Sequence, residues 1–124
     1  MAVLLDTRVV LQMLALEKAA EGPWSDELLH VSVASLWEIA IKVQQAKLET
    51  PVGVARLEER MDDVGWTVIP VQASHATAEV DPWPATQDPF DRLLLAVCQV
   101  EGLRLVTRDR KLVSHPLAWR PGSA

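Results

Sequence analysis

Short apolar runs alternate along this chain with helical patterns, and carboxylates stand at the junctions between them. Val3-Leu4-Leu5 reads as a buried strand that stops at Asp6-Thr7. Val9, Val10, Met13, Leu14 and Leu16 then recur at helical spacing, and Glu21-Gly22-Pro23 ends that pattern. Ser25-Asp26-Glu27 is expected to open a short helical turn before a strand at His30-Val31-Ser32. Leu36, Ile39, Ala40 and Val43 set one face of the next helix, widened by Trp37 and Ile41. A new segment begins at Pro51, and Val54, Leu57, Met61 and Val64 predict an amphipathic helix from there to Val64, stopped by Gly65. Trp66 to Val71 has strand composition, and Ala73 to Val80 reads as a short helix. Asp81-Pro82-Trp83-Pro84 is a rigid loop. Asp88-Pro89 opens a helix that is apolar almost all round to Val100 and ends at Gly102. Leu103 to Thr107 is the last strand. This alternation predicts an α/β fold, a central parallel sheet with helices on both faces. The 124 residues suffice for one hydrophobic core, so a single domain over 1–124 is expected.

Bulk properties narrow the function. With 49% apolar and 23% charged residues, the composition is that of a folded globular chain. Cys98, the single cysteine, lies in an apolar run and reads as a small buried hydrophobe. One cysteine and an acid as early as Asp6 argue against secretion, and no apolar run reaches membrane-spanning length. A cytoplasmic protein is expected. The net charge of −5 argues against a broad basic surface for nucleic acid. It leaves room for an enzyme that meets phosphate through bound cations.

Most acids need no special account, since Glu58, Glu59, Asp62 and Asp63 belong to the polar side of a helix. Asp6, Glu38, Asp91 and Asp109 differ. Each sits among apolar neighbours at a strand's end or in the first turns of the following helix. A carboxylate so placed is costly unless a cation or several donors compensate it. In a parallel sheet these positions share one edge, where ligands collect. Converging hard oxygen donors select magnesium or manganese over zinc. His30, His75 and His115 lack metal-ligand spacing and read as surface or boundary residues. The competing reading is capping: Ser35-Leu36-Trp37-Glu38 matches a capping box, and Asp88-Pro89-Phe90-Asp91 resembles one, with Asp88 as the cap.

These segments resemble the PIN-domain family, and within it the VapC-like toxin ribonucleases of VapBC-type (type II) toxin–antitoxin systems. The likeness rests on Leu4-Leu5-Asp6-Thr7, on Val31 to Lys42 with Ser-Leu-Trp-Glu at 35–38, on Asp88 to Leu94, and on Gly102 to Asp109. It implies a Rossmann-like α/β domain with an acidic pocket for Mg²⁺ or Mn²⁺. Asp6 and Asp91 would be the principal ligands, with Glu38 and Asp109 completing the set. Thr7 and Thr107, and more weakly Ser35, would be hydroxyl supports. It further implies an RNA substrate cut to 5′-phosphate and 3′-hydroxyl ends, a small cognate antitoxin and a homodimer. Two departures stand out: the Asp6–Glu38 interval is short, and Thr86-Gln87 occupies the place where relatives often carry a histidine.

The expected reaction is in-line attack of a metal-bound water on an RNA phosphodiester. Arg8, Arg92, Arg104, Arg108, Arg110 and Lys111 are candidate contacts to the RNA backbone. Trp24 and Trp83, in proline-containing loops, are candidates for contact with another chain. The rival classes are a catalytically inert PIN-like interaction module and a phospho-accepting signalling domain. The latter wants an acidic pair after the first strand, where Asp6-Thr7-Arg8 stands. A dehalogenase-type phosphatase needs an aspartate at the place of Arg8.

Overall fold

The computed structural model describes residues 1–15, 22–24, 26–50 and 52–122. Four parallel strands form one sheet in the order β3-β2-β1-β4. These are β1 (Ala2–Leu5), β2 (Leu28–Ser32), β3 (Thr67–Ile69) and β4 (Arg104–Val106). Val3 pairs with Leu29 and with Arg104, so β1 is an inner strand with a partner on each side. Helices α1 (Thr7–Ala15), α2 (Val33–Gln44), α3 (Leu57–Asp63), α4 (Ala73–Ala76) and α5 (Pro89–Glu101) fill the crossovers.

Alternation along β1 divides the core. Val3 and Leu5 join Leu29, Val31 and Val106 with Val9, Val10 and Met13 of α1, Ile39 of α2, and Leu57 and Met61 of α3. Leu4 joins Leu105 with Leu94, Leu95, Val97 and Cys98 of α5. A strand buried on both faces must be apolar at every position, which is why Val3-Leu4-Leu5 shows no polar alternation. Cys98 is fully buried, as expected, and burial pushes its thiol up, away from reactivity.

The helix starts are set by side-chain oxygens. Asp88 caps α5 by accepting from the N–H groups of Phe90 (2.8 Å) and Asp91 (3.3 Å), with Pro89 at the first position. Ser32, not Ser35, caps α2, accepting from Ala34 N–H at 3.0 Å. The capping box read at Ser35–Glu38 does not form, because α2 starts at Val33 and places both residues inside it.

Several boundaries differ from the sequence reading. The helix expected from Pro51 begins as a 3-10 turn at Val54–Arg56 and becomes α-helical at Leu57. Asp26 and Glu27 form no helix, while Leu16, Glu21, Ser25 and Pro51 lie outside the described residues. Helix α4 stops at Ala76 rather than at Val80. The Gln99 side chain holds the following segment open, donating to Glu79 O and accepting from Asp81 N–H, each at 2.9 Å. A late segment adds to the β4 edge: Leu105 N–H donates to Leu117 O, and Trp119 N–H to Leu105 O, both at 2.8 Å.

His75 and His115 are buried, contrary to the surface or boundary places expected of them. The Nδ1 of each accepts a backbone N–H, from Gln72 at 3.0 Å and from Leu117 at 3.1 Å. Each Nε2 then carries the proton, toward Glu101 at 2.9 Å and toward Pro82 O at 2.8 Å. Each ring thereby pins a loop. The groups facing each Nε2 are remote in sequence, so spacing could not reveal them.

Gly102 ends α5 at φ +70°, with nothing within 4 Å of where a Cβ would stand. Gly102→Ala is therefore expected to cost about 1 kcal/mol from backbone strain alone. Thermal unfolding should show a midpoint lower by about 4 °C. An unchanged midpoint would count against this account of the helix end.

Candidate active site

Because β1, β2 and β4 run parallel, their carboxyl ends meet at one edge of the sheet. Asp6 follows β1 there, and its N–H donates to Val106 O at 2.9 Å. It is 5% exposed, and its side chain accepts a 2.8 Å bond from the Thr107 hydroxyl. Thr107 also accepts the N–H of Asp109 at 3.1 Å, so one hydroxyl orients two of the acids. Thr86 plays the same part beside α5. It donates to Asp91 Oδ2 at 3.1 Å and accepts the N–H of Asp88 at 3.2 Å. The buried hydroxyls of Thr7 and Ser35 share a 2.8 Å bond, tying the start of α1 to the first turn of α2. Glu38, one turn onward and 7% exposed, meets Lys42 Nζ through Oε2 at 2.8 Å.

Asp6, Glu38, Asp91 and Asp109 line one cavity of about 70 Å³, with Thr7, Arg8, Lys42 and Asp88. A larger cavity of about 350 Å³, beside α4 and α5 and including Val80, Trp83 and Leu93, has no carboxylate in its lining. The four acids lie on the smaller one. Crowding shows in the acids themselves. Burial raises Asp6 above the usual carboxylate range, and the charges of Glu38 and Asp109 push it further, against the Thr107 bond. Asp91 is pushed up to about 6, first by burial and then by the charges of Asp88, Asp6 and Asp109, against the Thr86 bond.

A divalent ion fits this donor set. The titratable groups lining the cavity are oxygen acids and the cations Arg8 and Lys42, with neither imidazole nor thiol, as hard ions prefer. Asp6 and Asp91 are held by hydroxyls while burial and neighbouring carboxylates raise the cost of charging them, a balance that a doubly charged ion would reverse. Among the described residues, no three acids stand close enough to hold one ion as they are. The carboxylates converge on a shared space without forming a closed cage.

The other expected residues divide. Arg8 lines the cavity. Arg92 turns away, its guanidinium 4.7 Å over Trp83 and bonded to Thr86 O at 3.0 Å. Arg108 bonds Gln12 at 2.8 Å and lies 5.5 Å over Trp24. Arg104 donates to Pro116 O at 2.9 Å. Arg110 and Lys111 are exposed and outside the cavity lining. Trp24, expected at an interface, is buried against Trp119 with ring centroids 6.3 Å apart, whereas Trp83 is 70% exposed. Trp37, read as part of the apolar face of α2, is 62% exposed and packs edge-on against Phe90.

Sequence reasoning passed over Thr86 and Lys42. Thr86 stands where the histidine of relatives was noted as missing, and that departure was its only signal. Lys42 lies four residues after Glu38, the spacing that lets oppositely charged side chains meet on a helix.

The raised Asp91 fixes a direction for pH dependence. Its folded value, about 6, exceeds its ordinary 3.8, so the folded state holds the proton more tightly. The stability linked to it is complete below pH 3.8 and is lost as pH rises through about 6. Without divalent ions, Asp91→Asn should therefore melt a few degrees higher than wild type at pH 7.5. That gain should shrink toward pH 4 in a series of melting curves. A variant less stable than wild type at pH 7.5 would contradict the crowding described here.

Comparison with known proteins agrees with this architecture. The PIN domain family matches residues 3–116. The chain is 34% identical over 123 residues to Ribonuclease VapC22 of Mycobacterium tuberculosis, covering 91% of each protein. It shares its fold, at a TM-score of 0.59 and 17% identity, with a chain of a toxin-antitoxin complex from Klebsiella pneumoniae, covering 97% of this chain and 98% of that one. On the extent of the family match, this chain belongs to the PIN domain family.

Proposed function

We propose that this chain is an endoribonuclease that hydrolyses RNA phosphodiester bonds with Mg²⁺ or Mn²⁺, and that it is the toxin of a toxin–antitoxin pair. The observation that carries this reading is the meeting of Asp6, Glu38, Asp91 and Asp109 on one cavity at the carboxyl ends of parallel strands. Likeness to a curated ribonuclease over nine-tenths of the chain supports it.

Asp6 and Asp91 are the principal holders of the ion, with Glu38 and Asp109 beside them. When bound, the ion would lower the pKa of a water and offset negative charge at the phosphate. Thr107 and Thr86 orient the acids, each spending its proton on a carboxylate and accepting a backbone N–H. Thr7 and Ser35 act one step back, by fixing α1 against α2. Arg8, on the cavity wall, contacts the RNA backbone near the cut, and Arg110 and Lys111 do so farther along the strand. Arg92 and Arg108 must leave their present partners to join them.

The whole chain, 1–124, acts as one domain and pairs with a second copy. A small cognate antitoxin restrains it, and the exposed Trp83 and Trp37 are the apolar side chains offered to another chain. No helix among the described residues is long and apolar enough to cross a membrane, which accords with action in the cytoplasm.

Asp6→Asn and Asp91→Asn should each lower Mg²⁺-dependent cleavage of RNA by at least about 100-fold, as loss of a charge-stabilising group does. Circular dichroism should show both variants folded. Cleavage at wild-type rates in both would refute the assignment, and cleavage undiminished by a chelator would refute the role of the ion.

A further inference from the structure

Lys42 has no role in the reaction proposed so far, yet it lines the site. Nζ meets Glu38 Oε2 at 2.8 Å, and the side chain lines the same cavity as Asp6, Asp91 and Asp109. Glu38 is 9% exposed at its side chain and Lys42 45%, so the acid is held in place while the lysine retains room to move. Among the described residues, the other cation on the cavity wall, Arg8, makes no ion pair with these carboxylates.

An ordinary surface pair at this spacing stabilises a helix weakly and affects nothing else. This pair is different because its acid is a site carboxylate. A divalent ion bound to Glu38 would sit about 2.1 Å from an oxygen whose neighbour is already an ammonium. Two cations so close repel strongly, and the burial of the Glu38 carboxylate between them limits the screening of that repulsion. The flexible four-carbon stem lets the lysine retreat, where the planar fork of an arginine would tend to grip the carboxylate at two points.

We propose that Lys42 is a tethered counter-cation for Glu38 that competes with the divalent ion, and that the ammonium it frees on ion binding contacts the phosphate of the RNA. Lys42 would thus couple loading of the site to substrate binding. It holds the acid in the absence of the ion and becomes a phosphate contact in its presence. The inference rests on the ribonuclease reading above and extends it to a residue outside the carboxylate set.

The test uses the intact protein with Mn²⁺ as the probe. Mn²⁺ affinity is measured by calorimetry without RNA, and KM and kcat are measured on a single-stranded RNA at saturating Mn²⁺. In Lys42→Met the competitor is gone, so Mn²⁺ should bind three- to tenfold tighter. KM for RNA should rise several-fold with kcat changed less. Lys42→Gln, which keeps polarity without charge, should behave as the methionine variant does and guards against a folding defect in it. Mn²⁺ bound equally or more weakly by both variants would overturn the competition, since a residue that merely orients Glu38 gives that result. Tighter Mn²⁺ binding with an unchanged KM would overturn the contact to RNA. If wild-type protein takes up no Mn²⁺ and cuts no RNA, the ribonuclease reading fails and this inference with it.

Discussion

Like charges gathered at the end of a parallel sheet are the constraint around which this molecule is arranged. Asp6 stands at the carboxyl end of an inner strand, with Val106 accepting its N–H and Thr107 donating to its side chain. It cannot move without disturbing the pairing of β1 with β4. Glu38, Asp91 and Asp109 reach the same space from α2, α5 and the turn after β4. Burial, and after it the repulsion of neighbouring carboxylates, raises Asp6 and Asp91 and works against folding. The apolar core on both faces of the sheet must outweigh it.

The compensations are small, polar and local. Two threonines, Thr107 and Thr86, each bridge a carboxylate and a backbone N–H. A hydroxyl is suited to this because it donates and accepts at once, and it adds no charge to a space already crowded with it. Thr7 and Ser35 join two helices by the same economy of atoms. Lys42 contributes charge of the needed sign, but to a single acid. The site is thereby held in shape without being neutralised, and its oxygen donors are of the kind that hard divalent ions prefer.

The two roles of α5 show how fold and site share parts. Asp88 caps the helix and its charge also raises Asp91 three residues later. Farther along, the helix buries Leu94, Leu95, Val97 and Cys98 beneath the sheet, and Gln99 props the 79–81 segment. A rigid helix anchored by its apolar length therefore presents its acidic first turn at a defined place. Catalytic groups gain from such support, because small displacements at a site are costly.

The amino-acid sequence by itself determined the fold class, the four acids and the start and stop of α5. These are legible because they follow from local chemistry: unbroken apolar runs for strands buried on both faces, the 3.6 period for helices, Asp-Pro and Gly as helix punctuation. Tertiary structure alone decided which hydroxyl serves which acid, that Ser35 binds Thr7 rather than capping a helix, and that His75 and His115 are buried. It also decided that Trp24 is core while Trp37 and Trp83 face outward. Most of these depend on a partner distant along the chain, as Thr107 is from Asp6. Periodicity and spacing report only on neighbours within a few residues, so contacts made by the closing of the sheet leave no mark in them.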